Sequence, residues 1–308
     1  MIFNLTISFI TEMQKSKEKV LFRNDPEFTD ITPSQMVQKR GDPFFLDLTE
    51  ENIDVFGYFF ALLDKDEISQ RGIKVAERII ESFPSHYTAW WYKYHILEKL
   101  PYDFNSECNF IEQILKENPK SYQAWHYRQW LVDRENECPD QIPFLNETFA
   151  IDAKNFHAWS FSIWYSERWN KYQDIYELSL RQIQLDVRNN SAWNTRMTIG
   201  QKLNVDLSKE FDDVEKSFDV VGKNEAACNF LMGIVDKQPE LIERLKPLAM
   251  KMIDKHQDNV QAYRLLLYIA NINNNQDEIN TVCDQLMKFD PIRIPYYTML
   301  KSGNIKFQ

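Results

Sequence analysis

The chain has 308 residues and a formal charge of −10, from 36 basic and 46 acidic side chains. An acidic balance argues against nucleic-acid binding, which wants a basic face, while 44% hydrophobic residues allow a large core. Only 7 glycines leave few left-handed turns and no phosphate loop, which argues against P-loop, Rossmann and all-β architectures.

The opening stretch MIFNLTISFITEM has no basic start and no small-residue cleavage site, so no signal peptide is expected. No apolar run reaches the roughly 18 residues of a membrane span. The protein is therefore expected to be cytoplasmic and not integral to a membrane. Residues 1–50, with DPEFTDITPSQ and KRGDPFF, show little periodicity and are read as an irregular N-terminal extension lying on the rest of the chain or on a partner.

Residues 51–308 are read as a repeat array. A helical pair is expected first, NIDVFGYFFALL and then DEISQRGIKVAERIIESF. Six ungapped segments follow: PSHYTAW, PKSYQAW, AKNFHAW, VRNNSAW, GKNEAAC and QDNVQAY. They end at Trp90, Trp125, Trp159, Trp193, Cys228 and Tyr263, spaced 35, 34, 34, 35 and 35, each preceded by alanine. A last pair comes from DEINTVCDQLMKF and IPYYTMLKS. A fixed period of this length marks stacked supersecondary units.

Four residues before each aromatic stand His86, Ser121, Asn155, Asn189, Asn224 and Asn259. Five of these six are Ser or Asn, good helix N-caps. The flanking stretches, such as SECNFIEQILKEN and YQAWHYRQWLVDR, carry apolar residues at helical spacing. Each repeat is thus helix, short turn, helix, and its apolar face must be covered by the next. The expected fold is all-α: a right-handed, crescent-shaped α-solenoid of about seven to eight helical hairpins. The alanines let backbones approach, and the tryptophans fill the space between layers.

Four cysteines, Cys108, Cys138, Cys228 and Cys283, form no CxxC pair, and five histidines form no HExxH, so no metal site is expected on this chain. Five residues before the aromatics, Lys120, Lys154, Arg188 and Lys223 place four successive cations at helix N-termini. Such a rim suits a phosphate-bearing ligand. It equally suits ion pairs with carboxylates one layer away, such as Glu117, Asp152 and Asp186, which is the commoner case. Tyr87, Tyr122 and Phe156 open their helices and face a neighbour or a partner. His157 is more often a packed histidine than a ligand contact. Arg128 and Arg196 are expected to bond across repeats to the next layer's turn. No nucleophile with a neighbouring base is visible, so the chain reads as a scaffold with a candidate anion rim.

The prenyltransferase α-subunit repeat has the core Asn/Ser-aromatic-x-Ala/Val-Trp-x-x-Arg, and NPKSYQAWHYR, AKNFHAW and DVRNNSAWNTR, the last with Asn190 at the aromatic place, resemble it. The chain is similar to the α subunits shared by protein farnesyltransferase and geranylgeranyltransferase type I, from LFRNDPEFTDI at 21–31 to the last repeat. The resemblance implies a heterodimer whose β subunit holds the catalytic Zn2+, the farnesyl or geranylgeranyl diphosphate pocket and most of the groove for CaaX-ending proteins such as small GTPases. Mg2+ would accompany the diphosphate. It also implies that Lys120 contacts the departing diphosphate, that Tyr122 lies beside the active site and that Gln123 lies near the CaaX carboxylate. Tyr87 would line the pocket for the last CaaX residue, and Asn155 and His157 would face the diphosphate. Phe156 stands where the family has tyrosine, so a hydroxyl contact there is lost. Lys93 and Ser162 replace the repeat's arginine and are expected to weaken two structural contacts. Cys228 and Tyr263 replace its tryptophan. Two alternatives remain: the α subunit of Rab geranylgeranyltransferase, expected to carry further domains and to lack KSYQ, and a non-catalytic tetratricopeptide-like scaffold.

Overall fold

The computed structural model describes residues 20–35 and 48–307. Among these residues there are fifteen α-helices and no strand. Two compact units divide the chain, residues 1–134 and 135–308.

In the first unit, α1 (Glu50–Asp64) precedes two hairpins: α2 (Gln70–Ser82) with α3 (Tyr87–Leu97), and α4 (Phe104–Glu117) with α5 (Tyr122–Arg134). The two helices expected ahead of Trp90 are both present, as α1 and α2, and they pack on each other. The DEISQ stretch breaks into a turn, Ser69 caps α2 by accepting from Gly72 N, and α2 is the first helix of the Trp90 hairpin. Tyr92 seals that hairpin by donating its hydroxyl to Glu67 O at 2.6 Å. Helix α1 packs on this hairpin, with Phe59 meeting Tyr92 edge to face, and also against the N-terminal segment. Phe22 and Phe28 are buried, 4.6 Å apart between ring centres, and the buried Asp54 carboxylate accepts from Phe22 N at 2.6 Å and from Arg23 Nε at 2.7 Å. Arg71 and Lys74 of α2 hold Asp30 and Asp25 of the same segment at 2.6 Å each. The KRGDPFF stretch lies outside the described residues.

The second unit carries five hairpins: α6 (Ile142–Ile151) with α7 (Phe156–Trp169), α8 (Tyr172–Leu185) with α9 (Asn190–Leu203), α10 (Leu207–Val220) with α11 (Glu225–Lys237), α12 (Ile242–Lys255) with α13 (Val260–Ile272), and α14 (Gln276–Phe289) with α15 (Ile294–Lys301).

One local device recurs along both units. The residue four before the aromatic caps the second helix by accepting from the backbone N–H of the alanine: His86 from Ala89, Ser121 from Ala124, Asn155 from Ala158, Asn189 from Ala192, Asn224 from Ala227 and Asn259 from Ala262, at 3.0–3.4 Å. All six alanines are fully buried, so a larger side chain has no room there. The next residue's ring then pins the hairpin turn. The indoles of Trp90, Trp125, Trp159 and Trp193 donate to the carbonyls six residues earlier, at 2.8–3.0 Å, and the Tyr263 hydroxyl does the same at 3.1 Å. The tryptophans are thus turn locks as well as packing residues.

In the second unit the asparagines make a second bond. Asn189 donates to Ala153 O, Asn224 to Val187 O and Asn259 to Gly222 O, at 2.7–2.8 Å. Each amide therefore ties its own helix start to the turn of the preceding hairpin. Ala153 O and Val187 O receive a tryptophan and an asparagine together. Gly222 O has Asn259 but no indole among the described residues, because Cys228 stands where the tryptophan would be. Asn259→Ala is thus expected to cost about 1 kcal/mol more than Asn224→Ala. Urea unfolding of both variants checks this; equal losses would contradict the shared-carbonyl reading.

His86 makes the first cap sensitive to pH. Its Nδ1 must be unprotonated to accept from Ala89 N, and burial against Phe56 and Phe59 lowers its pKa below the ordinary 6.5. The depressed folded-state value means that the stabilisation is complete above the unfolded pKa and is lost as pH falls through the folded one. His86→Asn caps in either condition. The stability gap between the two proteins is expected to shift toward the asparagine variant from about pH 7 to about pH 5. A pH-independent gap would show that the imidazole is not the acceptor.

Three residues after the tryptophans, buried cations join the helices, though not at the turns expected. Arg196 of α9 grips Glu210 of α10 through Nε and Nη2 at 2.6 and 2.7 Å. Arg128 bonds Glu112 within its own hairpin at 2.9 Å. Lys93, fully buried, keeps the contact it was expected to weaken: it pairs with Glu77 of its own hairpin and with Glu107 of the next at 2.8 Å. Tyr127 donates to the same Glu107 at 2.6 Å. Only Ser162 gives up the charge, its hydroxyl turning back to Trp159 O at 2.8 Å.

Candidate functional site

The rim of helix starts is where the predicted site residues fall. In the first unit, Lys120, Tyr122 and Gln123 lie together on the turn into α5. Tyr87 holds the equivalent place on α3, one hairpin earlier. The cap bond of Ser121 fixes the backbone of the α5 turn, so Lys120 precedes it and Tyr122 follows it with little freedom. Tyr87 and Tyr122 are 75% and 71% exposed, large for aromatic rings, and Gln123 is half-buried.

In the second unit, Asn155, Phe156 and His157 sit on the turn into α7. Phe156 is 72% exposed, whereas Asn155 is 1% exposed, its amide oxygen held by Ala158 N at 3.0 Å. Asn155 thus positions the turn, and Phe156 and His157 present its outward surface. The His157 ring meets Phe156 edge to face at 5.6 Å, and burial lowers its pKa below 6.5, which keeps it neutral at physiological pH.

The cation ladder divides. Lys154 pairs with Asp186 at 3.4 Å, and Lys223 with Asp258 at 2.7 Å, as the ion-pair reading expects. For Lys120 and Arg188 the described residues include no carboxylate partner. Lys120 is therefore an exposed, unpaired ammonium beside a helix N-terminus, the one cation of the first unit's ladder. Electrostatics there favour an anion.

The description "Protein prenyltransferase alpha subunit repeat" matches residues 69–100 and 104–135, the α2–α3 and α4–α5 hairpins. The chain is 29% identical over 298 residues to the protein farnesyltransferase/geranylgeranyltransferase type-1 subunit alpha of Candida albicans, covering 88% of this chain and 95% of that protein. It is 31% identical over 98 residues to the subunit of the same name in Dictyostelium discoideum, there covering 30% of the relative. A solved structure, Candida albicans protein geranylgeranyltransferase-I complexed with GGPP, superposes with a TM-score of 0.82 at 26% identity, over 92% of this chain and all of that one. Over nearly its whole length the chain is similar to a protein prenyltransferase α subunit in sequence and in fold.

Burial pushes the Cys228 thiol up to about 12 and the Cys283 thiol up to about 11, so neither supplies a thiolate at neutral pH. Among the described residues no three His, Cys, Asp or Glu side chains converge as metal ligands, so their donor set does not fit a zinc ion. No helix among them is long and apolar enough to cross a membrane. For Lys93 and Arg196 the sequence names the cations but not the buried glutamates, Glu107 and Glu210, that they hold. Their signal was available: both basic residues stand 14 before the glutamate they grip across the hairpin boundary.

Proposed function

We propose that this chain is the α subunit of a cytoplasmic heterodimeric protein prenyltransferase, active only with its β subunit. The enzyme would transfer a farnesyl or geranylgeranyl group from the prenyl diphosphate to the cysteine of C-terminal CaaX sequences, as on small GTPases. The reading rests on a likeness that runs through nearly the whole of this chain and of its Candida albicans relative.

In this reading the peptide thiolate attacks C1 of the prenyl diphosphate, the C1–O bond breaks and diphosphate leaves. Zinc held by the β subunit would favour the thiolate, and Mg2+ would accompany the diphosphate. This chain's part is electrostatic. Lys120, unpaired and fixed beside a capped turn, meets the charge that grows on the leaving oxygen, and needs no rearrangement to do so. Tyr122 borders the reacting groups, Gln123 approaches the CaaX carboxylate, and Tyr87 lines the pocket for the last CaaX side chain. Phe156 covers the diphosphate region with an apolar ring in place of a hydroxyl. His157, neutral, can donate one hydrogen bond there, and Asn155 holds that turn in place.

The exposed rings of Tyr87 and Tyr122 in the first unit, and that of Phe156 in the second, each suit contact with a β subunit. Co-expression of the tagged chain with a farnesyltransferase β and, separately, a geranylgeranyltransferase type I β tests assembly. Recovery of a 1:1 complex with at least one is expected. A chain that purifies alone beside both would overturn the proposal and leave a repeat scaffold.

A further inference from the structure

Between α8 and α10 the second unit holds a groove of about 430 Å³. Leu180, Ile183, Val187, Trp193, Val214 and Val220 form its apolar walls, and Arg196 lines it with Glu210 and Asp213. The volume lies within the roughly 300–1,000 Å³ of small-ligand sites, which combine apolar walls with a few fixed polar groups.

Arg196 is 6% exposed. Nε and Nη2 bond the two oxygens of Glu210, and the guanidinium face lies over the Tyr176 ring at 4.4 Å. Only Nη1 is left. It is buried and finds no acceptor among the described residues. A buried donor of this kind calls for an acceptor, because its desolvation is otherwise uncompensated. Charge selects the type. Glu210 already neutralises Arg196, and Asp213 is paired with Lys216 at 3.2 Å, so the groove offers no net positive charge to offset the desolvation of a carboxylate, while a neutral carbonyl needs none.

We propose that the α8–α10 groove binds a neutral aliphatic molecule through one carbonyl oxygen, which accepts from Arg196 Nη1 while the hydrocarbon lies among Leu180, Val214 and Val220. The site shares no residue with the Lys120 turn or the helix-start rim of α7.

Methyl-labelled full-length chain titrated with octanamide, and separately with octanoate, tests this by NMR. Octanamide is expected to give saturable shifts at the Leu180, Val214 and Val220 methyls, with a Kd of about 1 mM or tighter. Octanoate is expected to bind at least tenfold more weakly. Leu180→Trp, at a half-exposed wall position, fills the groove and is expected to weaken octanamide binding at least tenfold with the other methyl signals kept. Should that variant lose its fold, Val220→Arg at the exposed mouth is expected to do the same. No saturable shift, equal binding of the two probes, or unchanged binding in a folded variant would overturn the proposal.

Discussion

Arg196→Met is expected to destabilise the chain by about 3–5 kcal/mol, the cost of stranding the carboxylate of a buried pair. Glu210 is 7% exposed at its side chain and takes both bonds from Arg196 at 2.6 and 2.7 Å. The Tyr176 hydroxyl also donates to Glu210, and burial, with that bond, pushes its phenol up. One phenol donor cannot replace a full charge inside a hairpin boundary. The double variant Arg196→Met with Glu210→Leu removes both charges and is expected to recover most of the loss. Urea unfolding of the wild type, both singles and the double closes the cycle. A loss below about 1 kcal/mol in Arg196→Met would mean that the pair is better hydrated than its burial implies.

Lys120→Ala in the assembled heterodimer is expected to slow the chemical step by about 10²–10³-fold, the usual effect of removing one preorganised charge at a developing anion. Peptide affinity is expected to stay within about twofold, since the effect is confined to the transition state. Stability is expected to change by less than about 0.5 kcal/mol, because the ammonium is exposed and has no ion pair among the described residues. That combination separates Lys120 from Arg196: one residue would act on rate without stability, the other on stability first. Single-turnover kinetics with peptide titration decides it. An unchanged single-turnover rate would remove Lys120 from the mechanism.

Much of this architecture is legible in the primary structure because the repeat is enforced locally. A cap and a buried alanine stand at fixed offsets in each turn, so Ser121, Asn155, Asn189, Asn224 and Asn259 could be read as caps from residue type and spacing, whereas the His86 cap emerges only from the structure. What could not be read depends on the neighbouring hairpin. The second bond of Asn189, Asn224 and Asn259 reaches a carbonyl 36 or 37 residues away, a distance at which one turn says nothing about another. That α2 packs on α1 and also closes the Trp90 hairpin could not be read from spacing either; the Tyr92 bond to Glu67 O makes the second pairing plain. Lys93 was expected to weaken its site because arginine is the better bidentate partner. A buried ammonium between two carboxylates, with the Phe110 ring 4.1 Å away, meets the need with a point charge. On the rim, Lys120 and Tyr122 could be named by resemblance. That Lys154 and Lys223 are paired while Lys120 is not follows from where the carboxylates stand, which composition cannot report.

Prenyl transfer to a CaaX peptide is measured with zinc and magnesium present. The chain is assayed alone and co-expressed with each β subunit, using both farnesyl and geranylgeranyl diphosphate. Transfer only in a co-expressed sample is predicted, with the favoured lipid set by the β subunit. Transfer by the chain alone, or none in either co-expressed complex, would contradict its role as a prenyltransferase α subunit.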